Sequence, residues 1–205
     1  MNNGEIAREM RRSRERSFAD ASAAAAAGLG DRAAAAGLLD VSYGEVDSPL
    51  GVLLVAATRK GLVRLAYPDE ERDRVLEGLA AEVSPRLLES SARLDVVRRG
   101  LEAYFEGRTR ELELEVDYAL TKGFVRRVLR ATARIPFGEL STYRVVARRA
   151  GSPNAYRAAG NALGSNPIPI VVPCHRVIHS TGGLGGYTGG LERKEFLLKL
   201  EGALS

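Results

Sequence analysis

The spacing of apolar residues changes once along this chain, near residue 120, and that change confines it to a two-part architecture. Before it, short apolar runs recur at strand spacing. Val41–Val46, Gly51–Thr58 and Leu62–Tyr67 are rich in Val, Leu and Tyr, and Ser48-Pro49 and Arg59-Lys60-Gly61 punctuate them as turns. Asp69–Val83 predicts a helix, because Val75, Leu76, Leu79 and Val83 recur at helical spacing behind an acidic first turn. Ala92–Phe105 predicts a second, burying Leu94, Val97, Leu101 and Phe105. Glu111–Asp117 alternates Glu-Leu-Glu-Leu-Glu-Val-Asp, the period of a half-solvated strand. Three or four strands with two helices make a small α/β unit over residues 39–119.

Residues 120–205 read as mostly helical. Phe124–Ala133 sets Phe124, Val128 and Leu129 on one face and Arg126, Arg127 and Arg130 elsewhere, and Pro136-Phe137-Gly138 breaks that helix. Ser141 is the expected cap of the next, which runs to Ala150. After the turn Gly151-Ser152-Pro153, Asn154 is the expected cap of another, up to Leu163. Two short helices joined by a few residues containing Gly have the spacing of a helix-turn-helix, although such pairs are common in helical domains generally. Charge adds weight to it. Residues 121–205 hold 13 Lys/Arg against 4 Asp/Glu, whereas residues 1–120 hold 17 against 22, within a net charge of only +4. A chain that docks a polyanion through its C-terminal half gains from that split; the alternative is a set of solvated helix faces.

Residues 1–38 stand apart as an Ala/Arg-rich extension, from Arg8–Arg16 through the alanine runs at Ala21–Ala27 and Ala33–Ala36. Glu9 and Glu15 interrupt the Arg run and no apolar segment follows, so it does not read as a secretory signal. Alanine favours helix but offers little area to bury, which predicts a loosely attached helix or a disordered tail without chemistry. No stretch approaches the roughly 18 to 20 apolar residues of a membrane helix. One cysteine makes neither an intramolecular bridge nor a Cys-rich zinc site, and a reducing cytoplasm is the expected compartment.

That cysteine lies in the segment most informative about chemistry, Asn166-Pro167-Ile168-Pro169-Ile170-Val171-Val172-Pro173-Cys174-His175-Arg176-Val177. A free thiol is only about 3% thiolate at neutral pH, and the thiolate is the nucleophile, so a neighbouring imidazole that takes the proton directly or through water turns a core filler into a reagent. The glycine-rich run Gly182–Gly190 follows. It lacks the Lys-Ser/Thr ending of a phosphate loop and suits instead a flexible loop whose backbone approaches a flat ligand, with Tyr187 placed to stack on it. Leu191–Leu200 closes the chain as an amphipathic helix with Glu201 at its end.

The run PCHRVIHSTGGLGGYTGGLERKEFLLKLEG resembles the signature of the O6-alkylguanine-DNA alkyltransferases, the methylated-DNA–protein-cysteine methyltransferases, and IPFGELSTYRVVARRAGSPNAYRAAGNALGSNPIPIVV resembles their DNA-binding helices. The resemblance spans residues 41–205, strongly from 134 onward. It implies a ribonuclease-H-like α/β domain followed by a winged-helix-like helical domain, a single-turnover enzyme without cofactor, and direct reversal of O6-alkylguanine in DNA. O4-methylthymine is left open as a second lesion. Carried over, Cys174 is the alkyl acceptor, His175 its base through a water, and Glu201 the group that orients the imidazole. Asn166 braces the turn before the strand presenting Cys174. The same resemblance implies a monomer that docks in the minor groove of double-stranded DNA and flips the damaged nucleotide out. Arg157 then fills the vacated stack. Tyr143 presses on the adjacent phosphate and offers its hydroxyl to guanine N3, and Ala158, Ala159 and Gly160 let the helix enter the groove, with Arg176 a further DNA contact. Val177, Tyr187, Thr188 and Lys194 line the guanine pocket.

Each supporting residue also has an ordinary reading: a packing tyrosine at 143, a solvated arginine at 157, a surface carboxylate at 201. His179 carries no role and belongs to the surface or the pocket rim. Val125 stands where many members carry Gln, and Asp117–Gly123 lacks the usual small-residue-plus-Pro entry; both bear on packing between the domains. The cysteine-rich zinc module fused to some relatives has no counterpart before residue 174, so no metal is expected. Two other functions use parts of the same pattern. A lesion sensor would flag the base without transfer, although such relatives usually lack the cysteine. A Cys-His hydrolase would need an oxyanion hole and no helix-turn-helix.

Overall fold

The structure is a computed structural model that describes residues 25, 28–91 and 93–204. The N-terminal unit is a four-stranded sheet built from β1 (Val41–Val46), β2 (Leu53–Thr58), β3 (Gly61–Ala66) and β4 (Leu87–Glu89), in the order β3-β2-β1-β4. β1–β2 and β2–β3 are antiparallel hairpins, whereas β4 returns parallel to β1 after helix α1 (Arg72–Glu82). β2 is buried along nearly its whole length because both sheet faces are covered. Ala56 joins Val41, Val63 and Leu79 under α1 on one face, while Leu53, Val55 and Ala57 meet α2 (Asp95–Phe105) on the other through Leu94, Val97, Leu101 and Tyr104. A strand wrapped on two sides reads as an unbroken apolar run, and Leu-Leu-Val-Ala-Ala is one.

Several expected elements are corrected here. β4 was not expected, since three residues carry no readable period. Glu111–Asp117 is not a strand: it meets β3 only at a Leu62–Val116 bridge, because the rest of that edge is engaged elsewhere, Leu65 donating its amide to Pro167 O at 2.9 Å. The second helix starts at Asp95, and Ala92 lies outside the described residues. Most of the Ala/Arg-rich extension also lies outside them, but residues 28–35 are helical and docked rather than loose. Gly30 seats that helix on the Glu89 carbonyl, where a Cβ would come within 1.9 Å, and Ser90 Oγ donates to Asp31 Oδ1 at 2.6 Å.

The C-terminal unit contains α3 (Gly123–Thr132), α4 (Tyr143–Arg149), α5 (Tyr156–Gly164) and α6 (Leu191–Leu200). The two-residue strands β5 (Ser141–Thr142) and β6 (Val177–Ile178) pair in parallel and tie the start of α4 to the segment after Cys174. The cap of α4 is Thr142, not Ser141: its Oγ1 accepts the Val145 amide at 3.3 Å. Ala155, not Asn154, precedes α5, and no side chain caps it. Val128, Leu129, Val146, Ala147, Ala159 and Leu163 form the interior of this helical unit, in one continuous core with the α2 face of the sheet. Val125 is half-buried against that core, an apolar position suited to its residue. No described helix is long and apolar enough to cross a membrane.

Candidate functional site

The segment before Cys174 is not a strand, as the resemblance implied, but a tight spiral. Val171 donates to Pro169 O, Val172 to Ile168 O and Cys174 to Val172 O, all at 2.8–2.9 Å, and Cys174–Arg176 completes one 3-10 turn. Three prolines forbid a ladder there. Ile170, buried, takes φ 71°, a left-handed conformation that costs a β-branched residue about 1–3 kcal/mol and persists only where its surroundings enforce it. Asn166 supplies part of that enforcement. Its Oδ1 accepts from Ile168 N at 3.0 Å, and its Nδ2 donates to Val172 O at 2.9 Å and to Cys174 Sγ at 3.1 Å.

Cys174 is 8% exposed and forms part of the wall of a cavity of about 730 Å³ at the foot of the helix-turn-helix. Tyr143, Arg157, Gly160, Tyr187 and Thr188 line the same space. Its volume lies within the range of small-molecule sites. Burial pushes the Cys174 thiol above its ordinary value, against the opposing pull of the Asn166 hydrogen bond and the Lys194 charge. The thiol therefore rests protonated at neutral pH, and a base must remove its proton.

The adjacent base is fully buried. His175 Nε2 and Glu201 Oε1 are 2.9 Å apart, and burial holds the imidazole below its usual value, hence neutral. Burial alone would raise the Glu201 carboxyl, but hydrogen bonds from His175, Arg176 and Tyr104 outweigh it and bring it down to about 2. Glu201 is thus an anion that accepts Nε2–H, which leaves Nδ1 as the imidazole's free lone pair; that atom has no hydrogen-bond partner among the described residues. The carboxylate gathers donors from both domains: Tyr104 Oη at 2.6 Å from α2, and Arg176 Nε and Nη2 at 2.8 and 2.9 Å.

Four expected placements are corrected. Arg176 is not a DNA contact: it is 8% exposed, lies over the Phe137 ring and donates to Ile135 O at 2.5 Å besides Glu201. Ala159 is fully buried in the helical core and cannot face a groove, whereas Ala158 is exposed. Val177 and Lys194 sit behind the cavity wall. Lys194 Nζ, buried, donates to Val177 O at 2.7 Å and Leu184 O at 2.5 Å, and desolvation lowers its ammonium to about 8. With Thr188 Oγ1 donating to Gly164 O at 2.6 Å, these bonds pin the glycine-rich loop that the sequence suggested was flexible.

The structure also adds residues. Tyr156 and His179 line the cavity, Tyr156 between the guanidiniums of Arg144 and Arg157 at 5.2 and 5.6 Å, and His179 tilted against Tyr143 at 5.2 Å. Tyr104 and Tyr67 reach the site from the N-terminal domain. Neither was singled out by the sequence, because no local signal links them to residues about 100 positions away. The positive surplus divides in two. Arg144, Arg148, Arg149 and Arg157 are exposed on the helix-turn-helix, while Arg127 donates to Ala150 O and Arg130 covers Tyr118. Among the described residues no group of three or more His, Cys, Asp or Glu is placed to hold a metal ion.

Comparison with known proteins agrees with this architecture along most of the chain. Residues 41–118 match the ribonuclease-like domain of 6-O-methylguanine DNA methyltransferase, and residues 123–203 match the DNA binding domain of the same enzyme. The methylated-DNA–protein-cysteine methyltransferase of Methanosarcina barkeri is 40% identical over 159 residues, covering 78% of this chain and 96% of that protein. The protein of the same name from Mycolicibacterium paratuberculosis is 42% identical over 161 residues, 78% and 92% of the two chains. Among solved structures, Mycobacterium tuberculosis OGT in complex with DNA is 36% identical with a TM-score of 0.66, covering 78% of this chain and 92% of that one. By these matches, and by the two-domain fold that carries them, the chain belongs to the 6-O-methylguanine DNA methyltransferase family.

Proposed function

We propose that this protein repairs O6-alkylguanine, chiefly O6-methylguanine, in double-stranded DNA by moving the alkyl group irreversibly to Cys174. The observation that carries the reading is the chain's one cysteine in the wall of a cavity that is also lined by Arg157, an exposed arginine of the helix-turn-helix. The methyl of the lesion is enclosed in the duplex, so the nucleotide must leave the stack at a cost of a few kcal/mol. Arg157, exposed at the cavity rim, takes the vacated place, and Ala158 and Gly160 keep the approaching helix face small enough for a minor groove about 6 Å wide.

His175 Nδ1 then accepts the thiol proton through a water, while Glu201 balances the imidazolium. Asn166 Nδ2 donates to the sulfur as charge grows on it. The C–S bond forms as the C–O6 bond breaks, and the electron pair passes to guanine. Burial keeps the Tyr143 hydroxyl protonated, so it is available to guanine N3. In the net reaction the methyl resides on sulfur and the thiol proton on guanine. No second cysteine exists to resolve the thioether, which makes the protein a single-turnover reagent. It acts as a monomer, in the cytoplasm, and O4-methylthymine is a second lesion to assay.

Intact-mass measurement after incubation with a duplex containing O6-methylguanine tests this. The expected result is a gain of one methyl that saturates at one per protein and vanishes in Cys174→Ala. Lesion binding without mass gain would indicate a sensor instead, and repeated turnover a hydrolase.

A further inference from the structure

Tyr104 brings a hydroxyl of the N-terminal domain to the carboxylate behind His175. It is fully buried near the end of α2, and its ring meets Phe105 and, in the C-terminal unit, Phe137 edge to face at 5.3 and 6.1 Å. Its Oη lies 2.6 Å from Glu201 Oε1, its one hydrogen-bond partner among the described residues. The direction of that bond follows from the acceptor: an ionised carboxylate has no proton to give, so Tyr104 donates. The same oxygen accepts His175 Nε2 at 2.9 Å and Arg176 Nη2 at 2.9 Å. Glu201 Oε2 takes Arg176 Nε at 2.8 Å and lies 3.5 Å from the Gly138 amide. Oε1 therefore divides its negative charge among three donors, of which the imidazole is one and the phenol the nearest.

We propose that Tyr104 is a positioning residue for alkyl transfer, supplied by the N-terminal domain, which shares Glu201 Oε1 with His175 and so restrains the pull of the carboxylate on the imidazole until a lesion is bound. A carboxylate oxygen that yields charge to one short, strong bond has less to offer the next donor. Without the phenol, Oε1 would stabilise an imidazolium better, and the Cys174 proton would pass to His175 more readily. Restraint has a chemical purpose here. A chain with one thiol, used once, is lost to any electrophile or oxidant that meets it as a thiolate away from DNA. The charged and titratable groups around His175 are Glu201, Arg176 and Cys174 on its own turn, and Lys194 of α6. Arg176 and Lys194 oppose its protonation and Glu201 favours it, so a donor acting on Glu201 governs the favourable influence. Burial keeps the Tyr104 phenol protonated throughout.

This inference rests on His175 serving as the base for Cys174, and two kinds of measurement keep the readings separable. Tyr104→Phe retains the ring and removes the donor. In nitrogen-15 NMR titrations the affinity of the His175 imidazole for a proton should rise roughly 3- to 10-fold, a share of one lost hydrogen bond to a charged group. In single-turnover kinetics followed by intact mass, methyl transfer near neutral pH should quicken by the same factor, because the imidazolium–thiolate pair is that much more populated. Alkylation of Cys174 by iodoacetamide without DNA should quicken likewise. In acid, where the imidazole already holds its proton, the thiolate fraction depends on the thiol alone, and the rate curves of the two proteins should converge. Placing 3-fluorotyrosine at position 104 keeps the hydroxyl and makes it a stronger donor, so the imidazole titration and both rates should move the opposite way. This second change also serves if the phenylalanine variant folds poorly. An imidazole titration that stays put or falls in Tyr104→Phe, methyl transfer slowed by one factor at every pH, or a fluorotyrosine protein that shifts in the same direction as Tyr104→Phe would each overturn the assignment. If the imidazole responds as expected but the unmodified protein gains no methyl, the acceptor reading fails and the role of Tyr104 toward His175 stands.

Discussion

Replacing Glu201 by Gln should destabilise this protein far more than a conservative change near the end of a chain normally does. The carboxylate is buried and receives Tyr104, His175 and two nitrogens of Arg176. Glutamine preserves its shape but removes the charge and turns one acceptor into an NH2 that opposes a guanidinium donor. Leaving Arg176 as an uncompensated buried cation costs about 3–5 kcal/mol. A second route agrees: depression of the carboxyl from 4.5 to about 2 corresponds to ~3 kcal/mol of preference for the ionised form. For a protein of this size the melting temperature should fall by roughly 6–20 °C at pH 7.

The sign with pH follows from the direction of the shift. A carboxyl whose pKa is depressed by folding contributes its stability above about 4.5, and that contribution is lost as the pH falls toward about 2. Thermal melts followed by circular dichroism from pH 7 down to 2.5 should therefore show the two proteins converging at the acid end. Adding Arg176→Met to Glu201→Gln should recover part of the loss, because the cost is unpaired charge rather than lost packing. A Gln variant that melts within 2 °C of the parent at pH 7, or whose deficit is the same at pH 3, would refute the reasoning.

Asn166→Ala should slow methyl transfer roughly 10-fold through loss of the bond to sulfur, and also soften the spiral before Cys174, read as single-turnover rate and melting temperature. Gly189→Ala should impair alkyl transfer more than it impairs DNA binding, because its methyl group must push apart the Tyr67 and Tyr187 rings, which cannot yield cheaply; equal loss in both assays would speak against it. Thr142→Ala should cost about 1 kcal/mol by removing the cap of α4, a melting shift of roughly 2–4 °C. Affinity for duplex DNA should fall steeply with salt, and Arg148→Ala with Arg149→Ala should flatten that slope, as expected where exposed guanidiniums displace counterions.

The sheet was legible because both-sided burial leaves its mark on sequence: Val41–Val46 is the strand expected, β2 lies within the run expected for it, and β3 is offset by one residue, taking in Gly61 from the expected turn. The last helix falls on its expected bounds, Leu191–Leu200 to the residue, although it buries Lys194 with Leu197 and Leu198 and leaves Leu191 exposed rather than presenting a clean apolar stripe. Misreadings arose where local pattern competes with a neighbour. Glu111–Asp117 has the alternation of a strand but no free edge to pair with. The prolines around Ile170 prevent an apolar run from becoming a strand at all. Arg176 has the composition of a DNA contact and the environment of a core residue, and only the position of Glu201 distinguishes them.

What the chain carries in one dimension is the identity of its reagents: a single thiol, an imidazole beside it, an amide eight residues before, and an uneven distribution of charge. These depend on residue type and short spacing, which sequence displays directly. Whether the thiol is ionised, where the imidazole's proton sits and which tyrosines reach the centre depend on burial and on groups about 100 residues distant, brought together by packing the sheet domain against the helices. Desolvation and the convergence of donors are properties of enclosed volume, and only the folded chain encloses one.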